Sequence, residues 1–232
     1  MCFSAGASFA GGAVLSVIGV ASVRSARDKS QKLFASIPLL FAFQQFSEGV
    51  VWLTLRSGGN HNIQMTAAYI FLVMALVVWP SVMPLAARRL EQDKNRKRII
   101  AWMMAAGLVL SGYYAFCLIA FNITPVISEF HIKYINDFPK PLSDSAFVIY
   151  AIATLGPLFA SSVKKMYLFG ILVTLSCLVT GILYREYLTS VWCFFAALIS
   201  VVIYWIVKES QEELDPSWVR VKRTVTDFIK RF

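Results

Sequence analysis

Residues 65–87 read MTAAYIFLVMALVVWPSVMPLAA and residues 88–98 read RRLEQDKNRKR. The first stretch carries no charge over 23 residues. The second holds six basic side chains: Arg88, Arg89, Lys94, Arg96, Lys97 and Arg98. A helix needs about 20 mostly apolar residues to cross the hydrocarbon core of a bilayer. Basic residues flanking such a helix stay on the cytoplasmic side. This junction therefore reads as a spanning helix that ends at the cytoplasmic surface.

Working outward, the same pattern recurs at residues 3–23, 33–55, 99–121, 145–163, 166–184 and 187–207, giving seven spans. Of the 232 residues, 58% are hydrophobic and 15% charged, whereas soluble domains carry about 25% charged residues. The basic residues sort by side. Segment 24–32 has Arg24, Arg27, Lys29 and Lys32; the turn after span five has Lys164 and Lys165; the tail from Lys208 has six more. With segment 88–98 these hold 18 of the 22 basic residues, and Arg56, Lys133, Lys140 and Arg185 fall in the opposite segments. A six-span count would split the basic segments between the two sides. The expected fold is an all-α integral membrane bundle of seven transmembrane helices, N-terminus outside and C-terminus cytoplasmic. Residues 1–207 form its membrane domain and 208–232 its cytoplasmic tail. The net charge of +9 is then a matter of topology and lipid headgroups rather than nucleic acid. The first apolar run has no basic residue ahead of it, as expected for an uncleaved helix.

In the tail, Asp215 suits an N-cap and Pro216 the first helical position. Trp218, Val221, Val225, Phe228 and Phe232 recur at spacings of three and four, with Arg220, Lys222, Arg223, Lys230 and Arg231 interleaved. This pattern predicts an amphipathic helix on the inner leaflet, with membrane lipid as its partner. In span one, Ser4, Ser8, Gly12 and Ser16 form a small-residue stripe of the kind that lets helix backbones approach in lipid. Pro38, Pro80, Pro84 and Pro157 interrupt spans and are expected to kink them. Segment 122–144 is the longest loop.

Glu48 is the one acidic or basic side chain within the seven spans. A charge at the centre of a spanning helix costs roughly 2.5–3.5 kcal/mol on insertion scales, so it should face the bundle interior. Gln44, Gln45 and Trp52 lie three or four residues away, on about one helical face. Cys2 and Ser4 should lie near the same level, in the outer half of the membrane. Three roles are open for this cluster. It can glue helices together by hydrogen bonds, at about 0.6–2 kcal/mol each. It can bind a small molecule, a cation or a proton. It can supply a catalytic acid or base, with Cys2 or His131 as partner. No metal or cofactor is expected. The two histidines, His61 and His131, lie in outer segments, and with Glu48 nothing local fixes a three-ligand geometry. The four cysteines show no metal-type spacing. Span seven has no lysine for a retinal Schiff base.

The opening MCFSAGASFAGGAVL (1–15), PLLFAFQQFSEGVVWL (38–53) and WPSVMPLAARRLE (79–91) resemble an uncharacterised family of bacterial multi-pass membrane proteins whose members begin Met-Cys-Phe-Ser-Ala. The resemblance implies a bacterial cytoplasmic membrane. It carries no activity, and it directs attention to Cys2, Ser4, Gln44, Gln45 and Glu48.

Overall fold

A computed structural model describes residues 4–128, 131–139, 143–183 and 187–212. The elements are α1 (Ala5–Ser25), α2 (Lys29–Ala35), α3 (Ile37–Ser57), α4 (His61–Val73), a π-helical turn (Met74–Val78) and α5 (Trp79–Leu90). They continue with α6 (Lys94–Ala120), β1 (Ile123–Ser128), β2 (His131–Asn136), α7 (Ser143–Ala160), α8 (Met166–Leu183), α9 (Leu188–Ile199) and α10 (Val201–Glu212). Among the described residues, five helices are long and apolar enough to cross a membrane: 5–25, 61–90, 94–120, 166–183 and 189–209. The 21-residue α3 matches α1 in length and is less apolar because Gln44, Gln45, Ser47 and Glu48 sit at its centre.

The central pair is α1 against α3, and glycine sets their spacing. A Cβ on Gly12 would lie 2.9 Å from the Phe46 ring, and one on Gly49 2.9 Å from the Phe9 ring. Each helix thus seats a phenylalanine on the other's glycine. The buried face of α1 is Ala5, Ser8, Gly12, Leu15, Gly19 and Ser22, which corrects the expected stripe. Steps of four residues advance about 40° each around a helix of 3.6 residues per turn. Alternating steps of three and four stay on one face, so Leu15 replaces Ser16. The Ser16 hydroxyl instead donates to its own Gly12 carbonyl at 2.8 Å.

Two prolines do not act as expected. Pro38 is at the start of α3, where a missing N–H costs nothing. The chain before it is not a plain loop: residues 29–35 form α2, capped by the Asp28 side chain and joined to α3 through Ser36. Pro80 follows the π-turn, whose wider winding frees carbonyls that neighbouring helices satisfy. The Tyr150 hydroxyl donates to the Ala75 carbonyl at 2.6 Å, and the Ser111 hydroxyl to the Val77 carbonyl at 2.7 Å. Such repair is what lets broken helices persist in lipid. Pro84 cannot donate to the Pro80 carbonyl, and that oxygen packs on Gly107. A Cβ there would lie 2.0 Å from it.

Segment 122–144 is not simply a loop. It holds an antiparallel hairpin, β1 on β2, in register from Ile123 opposite Asn136 to Ser128 opposite His131. The hairpin packs onto the bundle: Ile132 joins Trp52, Ala67 and Ala68, while Ile123 joins Phe71, Leu118 and Cys193. Tyr134 stacks on Phe71 with centroids 5.1 Å apart. The last apolar stretch, 189–209, is long and apolar enough to cross a membrane, and its winding is interrupted at Ser200, where α9 gives way to α10. Segments 24–32, 88–98 and 161–165 and the end of α10 meet at one end of the bundle, around a cavity of about 420 Å³ lined by Asp28, Gln92, Lys164 and Glu209.

Candidate functional site

Glu48 projects from the middle of α3, and it, Gln44 and Gln45 are all 0% exposed. Its partner comes from the far end of the chain. The Ser190 hydroxyl, two residues into α9, donates to the Glu48 carboxylate. A hydrogen bond to a charged group contributes about 1.5–3 kcal/mol, comparable with the cost of holding a carboxylate in a spanning helix.

Gln44 faces the π-turn. Its Oε1 accepts a 2.8 Å hydrogen bond from Trp79 Nε1, and the Trp79 ring stacks on Phe41 with centroids 4.0 Å apart. Cys193, buried on α9, lies beside the Gln44 side chain. Gln45 turns the other way, toward α1. Neither its amide nitrogen nor its oxygen has a hydrogen-bond partner, and the same holds for the buried Ser8 hydroxyl and the Trp52 indole N–H. An unsatisfied buried polar group costs about 1–3 kcal/mol, and native interiors hold few of them. Of these, Gln45 lies three residues before Glu48 and Trp52 four after it on α3, and Ser8 is on the buried face of α1.

Below this centre lies a cavity of about 40 Å³ whose wall includes Trp79, Tyr150, Thr154, Trp192 and Cys193. That is room for a water or a similarly small group. The Trp192 indole N–H on this wall is buried without a partner.

The remaining candidates are placed as follows. Trp52 is buried, with the Arg56 guanidinium 5.5 Å from its ring centroid. Ser4 is the N-cap of α1, its hydroxyl accepting from Ala7 N at 3.2 Å. Its position at the helix start gives it a structural task. His131 is buried on the hairpin and stacks on Tyr187, centroids 4.7 Å apart, three residues before Ser190. Ser128 Oγ and Tyr187 OH are 2.9 Å apart, so both hairpin strands are latched to the entry of α9. Cys2 lies outside the described residues, as do Trp218, Arg220, Lys222, Arg223, Phe228, Lys230 and Arg231 of the tail. Among the described residues no three His, Cys, Asp or Glu side chains cluster to hold a metal.

A second buried carboxylate went unnoticed in the sequence. Glu91, after α5, is also 0% exposed. Its Oε1 accepts from Gln92 N and Asp93 N at 2.9 Å and from Ser162 Oγ at 2.6 Å, and its Oε2 accepts from Ser162 N at 2.6 Å. Burial pushes this carboxyl up. The hydrogen bonds from Ser162, Asp93 and Ser161 outweigh that, and hold it down at about 2. Arg96 reinforces the knot by donating to the Ala160 carbonyl at 3.1 Å.

The geometry can be set beside known proteins. A family of unknown function (DUF6629) matches residues 1–217. The chain belongs to that family. The match runs well past the three stretches that carried the resemblance, and takes in α9 with Ser190 and Cys193. No curated protein and no solved structure matches the chain.

Proposed function

We propose that this protein is a seven-span integral membrane protein that binds, and passes, a small polar or cationic solute or a proton at Glu48. Gln44 and Gln45 orient what is bound, and Trp52 closes the site on its outer side. The N-terminus is outside and the tail, with its basic amphipathic helix, lies on the inner leaflet of a bacterial cytoplasmic membrane. The topology draws support from the gathering of three basic segments at one end of the bundle.

One observation carries the functional part. A carboxylate buried in the middle of α3 lies within about one helical turn of buried groups whose hydrogen bonds are unspent, both ends of the Gln45 amide and the Trp52 indole N–H. A cluster built only to glue helices would use those bonds on neighbouring helices. Intramembrane ionisable residues mark solute and proton routes more often than packing. The test is difference infrared spectroscopy of the protein in liposomes, on a pH step and on addition of methylammonium. A carboxyl band should respond in the wild type and be missing in Glu48→Gln. Identical difference spectra from the two proteins would reduce the cluster to packing.

A further inference from the structure

We infer that the bundle contains a complete route to the basic end, closed there by one apolar layer in which Phe34 of α2 is the movable part. The protein would then be a transporter rather than a receptor that binds from outside. What passes rests on the Glu48 proposal; the existence of the layer does not.

Two cavities lead from Cys193, which is close to Glu48, toward the basic end. The first is the 40 Å³ cavity beside Gln44 and Cys193. The second is the 420 Å³ cavity at the basic end, with polar walls at Gln31, Gln92, Ser162 and Lys164. Several elements pass from one to the other in the same order. On α5, Met83 borders the small cavity and Leu90 the large one, with Ala86 and Ala87 buried between. On α7, Thr154 borders the small cavity and Ser162, just past the helix end, the large one, with Leu158 buried between. On α9 and α10 the order is Ala196, Ile203, Ile206. At about 1.5 Å per residue, the two spaces are some 10–12 Å apart along α5 and α7.

The intervening layer is closed by an aromatic pair. Phe34 and Phe169 meet edge to face, centroids 6.3 Å apart, and both are almost fully buried. Phe169 is itself a wall of the small cavity, and Gln31, one turn before Phe34, is a wall of the large one. Phe34 thus stands between a wall of each space, inside the apolar layer that separates them. Dry apolar constrictions of this kind block polar solutes and open by small displacements. Around this pair the layer is completed by Ala86 and Ala87 of α5, Leu158 of α7 and Ile203 of α10.

The connection of α2 suits such a displacement. This helix has seven residues and is joined to α3 through Ser36, after which Pro38 provides no N–H to continue the first helix's ladder. It packs on α5 and α10, the walls of the larger cavity. Rotation about Ser36 would withdraw Phe34 and leave α3, with Glu48, where it is.

Cys193 is a native reporter, because it lines the small cavity. With Cys2→Ala, Cys117→Ala and Cys177→Ala in place, its reaction with a membrane-impermeant cationic methanethiosulfonate is followed in vesicles of both orientations. Wild-type protein should react slowly from either face. Phe34→Ala should speed the reaction at least tenfold from the face bearing segment 88–98 and leave the other face unchanged. Phe34→Leu, which keeps an apolar contact with Phe169, should give a smaller increase in the same direction. The inference is overturned if both variants, with melting temperatures near wild type, stay within twofold of it from that face. It is equally overturned if the gain comes from the opposite face, or if wild-type Cys193 already reacts fast from the basic end. Glu48→Gln should leave these rates unchanged, so loss of the infrared response and loss of the access pattern fail separately.

Discussion

The two buried carboxylates of this bundle are equally hidden from solvent and oppositely equipped. Glu91 takes four hydrogen bonds, from three backbone amides and the Ser162 hydroxyl, and ties the α5–α6 connection to the α7–α8 connection. Glu48 sits among Gln45, Ser8 and Trp52, whose polar atoms are buried without partners. A saturated buried charge fixes architecture. A buried carboxyl in an unsaturated shell is kept at a cost in stability, and that cost points to use. Burial alone does not distinguish the two; the state of the surrounding hydrogen bonds does.

Exchange of each carboxylate for its amide should therefore separate function from stability. Glu48→Gln preserves shape, and its carbonyl can still accept from Ser190. We expect solute or proton flux in liposomes to fall by at least about a hundredfold, roughly 3 kcal/mol at the limiting step, with the melting temperature near wild type. Glu91→Gln should do the reverse. Its new NH₂ would face a donor, Ser162 N or Oγ, where an acceptor is needed. A stability loss on the order of 2–3 kcal/mol follows, with flux per folded molecule retained. If Glu48→Gln unfolds the protein, or Glu91→Gln silences a stable one, the roles assigned to the two sites are wrong.

Acid provides a graded version of the same contrast. The Glu91 carboxyl lies at about 2 in the folded protein against an ordinary 4.5. A lowered folded value means that the carboxylate form is favoured by folding. Its contribution is complete above about pH 4.5 and is lost as the pH falls through about 2. The full contribution corresponds to roughly 3–3.5 kcal/mol. Chemical unfolding of the wild type should show stability declining over that window, and Glu91→Gln should flatten this part of the decline. Parallel pH profiles for the two proteins would mean that the knot contributes little.

The two sites also differ in how far the sequence announces them. Glu48 stands out because a charge within an apolar run has few structural excuses, and Gln44, Gln45 and Trp52 follow from helical spacing. Ser190 does not, since a lone serine in an apolar helix is ordinary and its partner lies 142 residues away. Glu91 was invisible for the opposite reason. A carboxylate in a basic loop is normally solvated, and only Ser162, 71 residues on, makes it buried. The same limit applies to the fold. Long apolar stretches give the helices, but the π-turn lies inside one uninterrupted apolar run and alters only how carbonyls are shared. The hairpin has short strands, a proline at Pro125 and no tight-turn dipeptide, so its pairing is fixed by the bundle beneath it rather than by local pattern. Ser16 failed as a stripe residue because a fixed step of four drifts around the helix.

The smallest expected effect gives the sharpest comparison. Gln45→Leu replaces an amide with two unspent hydrogen-bonding ends by an apolar side chain of similar size. Removal of a buried polar group that has no partner recovers its desolvation cost, whereas removal from a satisfied network exposes new orphans. Gln45→Leu should therefore raise stability, by about 1 kcal/mol, while weakening the response of the Glu48 carboxyl to methylammonium. The matched change at the other end, Ser162→Ala, strips hydroxyl donation from Glu91 and should lower stability by a similar amount. Opposite signs from two polar-to-apolar changes, read by unfolding in the same lipid, are what a working site and a structural knot require. A loss of stability at Gln45 would mean that its amide is already engaged in holding α1 to α3, and the case for a solute there would fall with it.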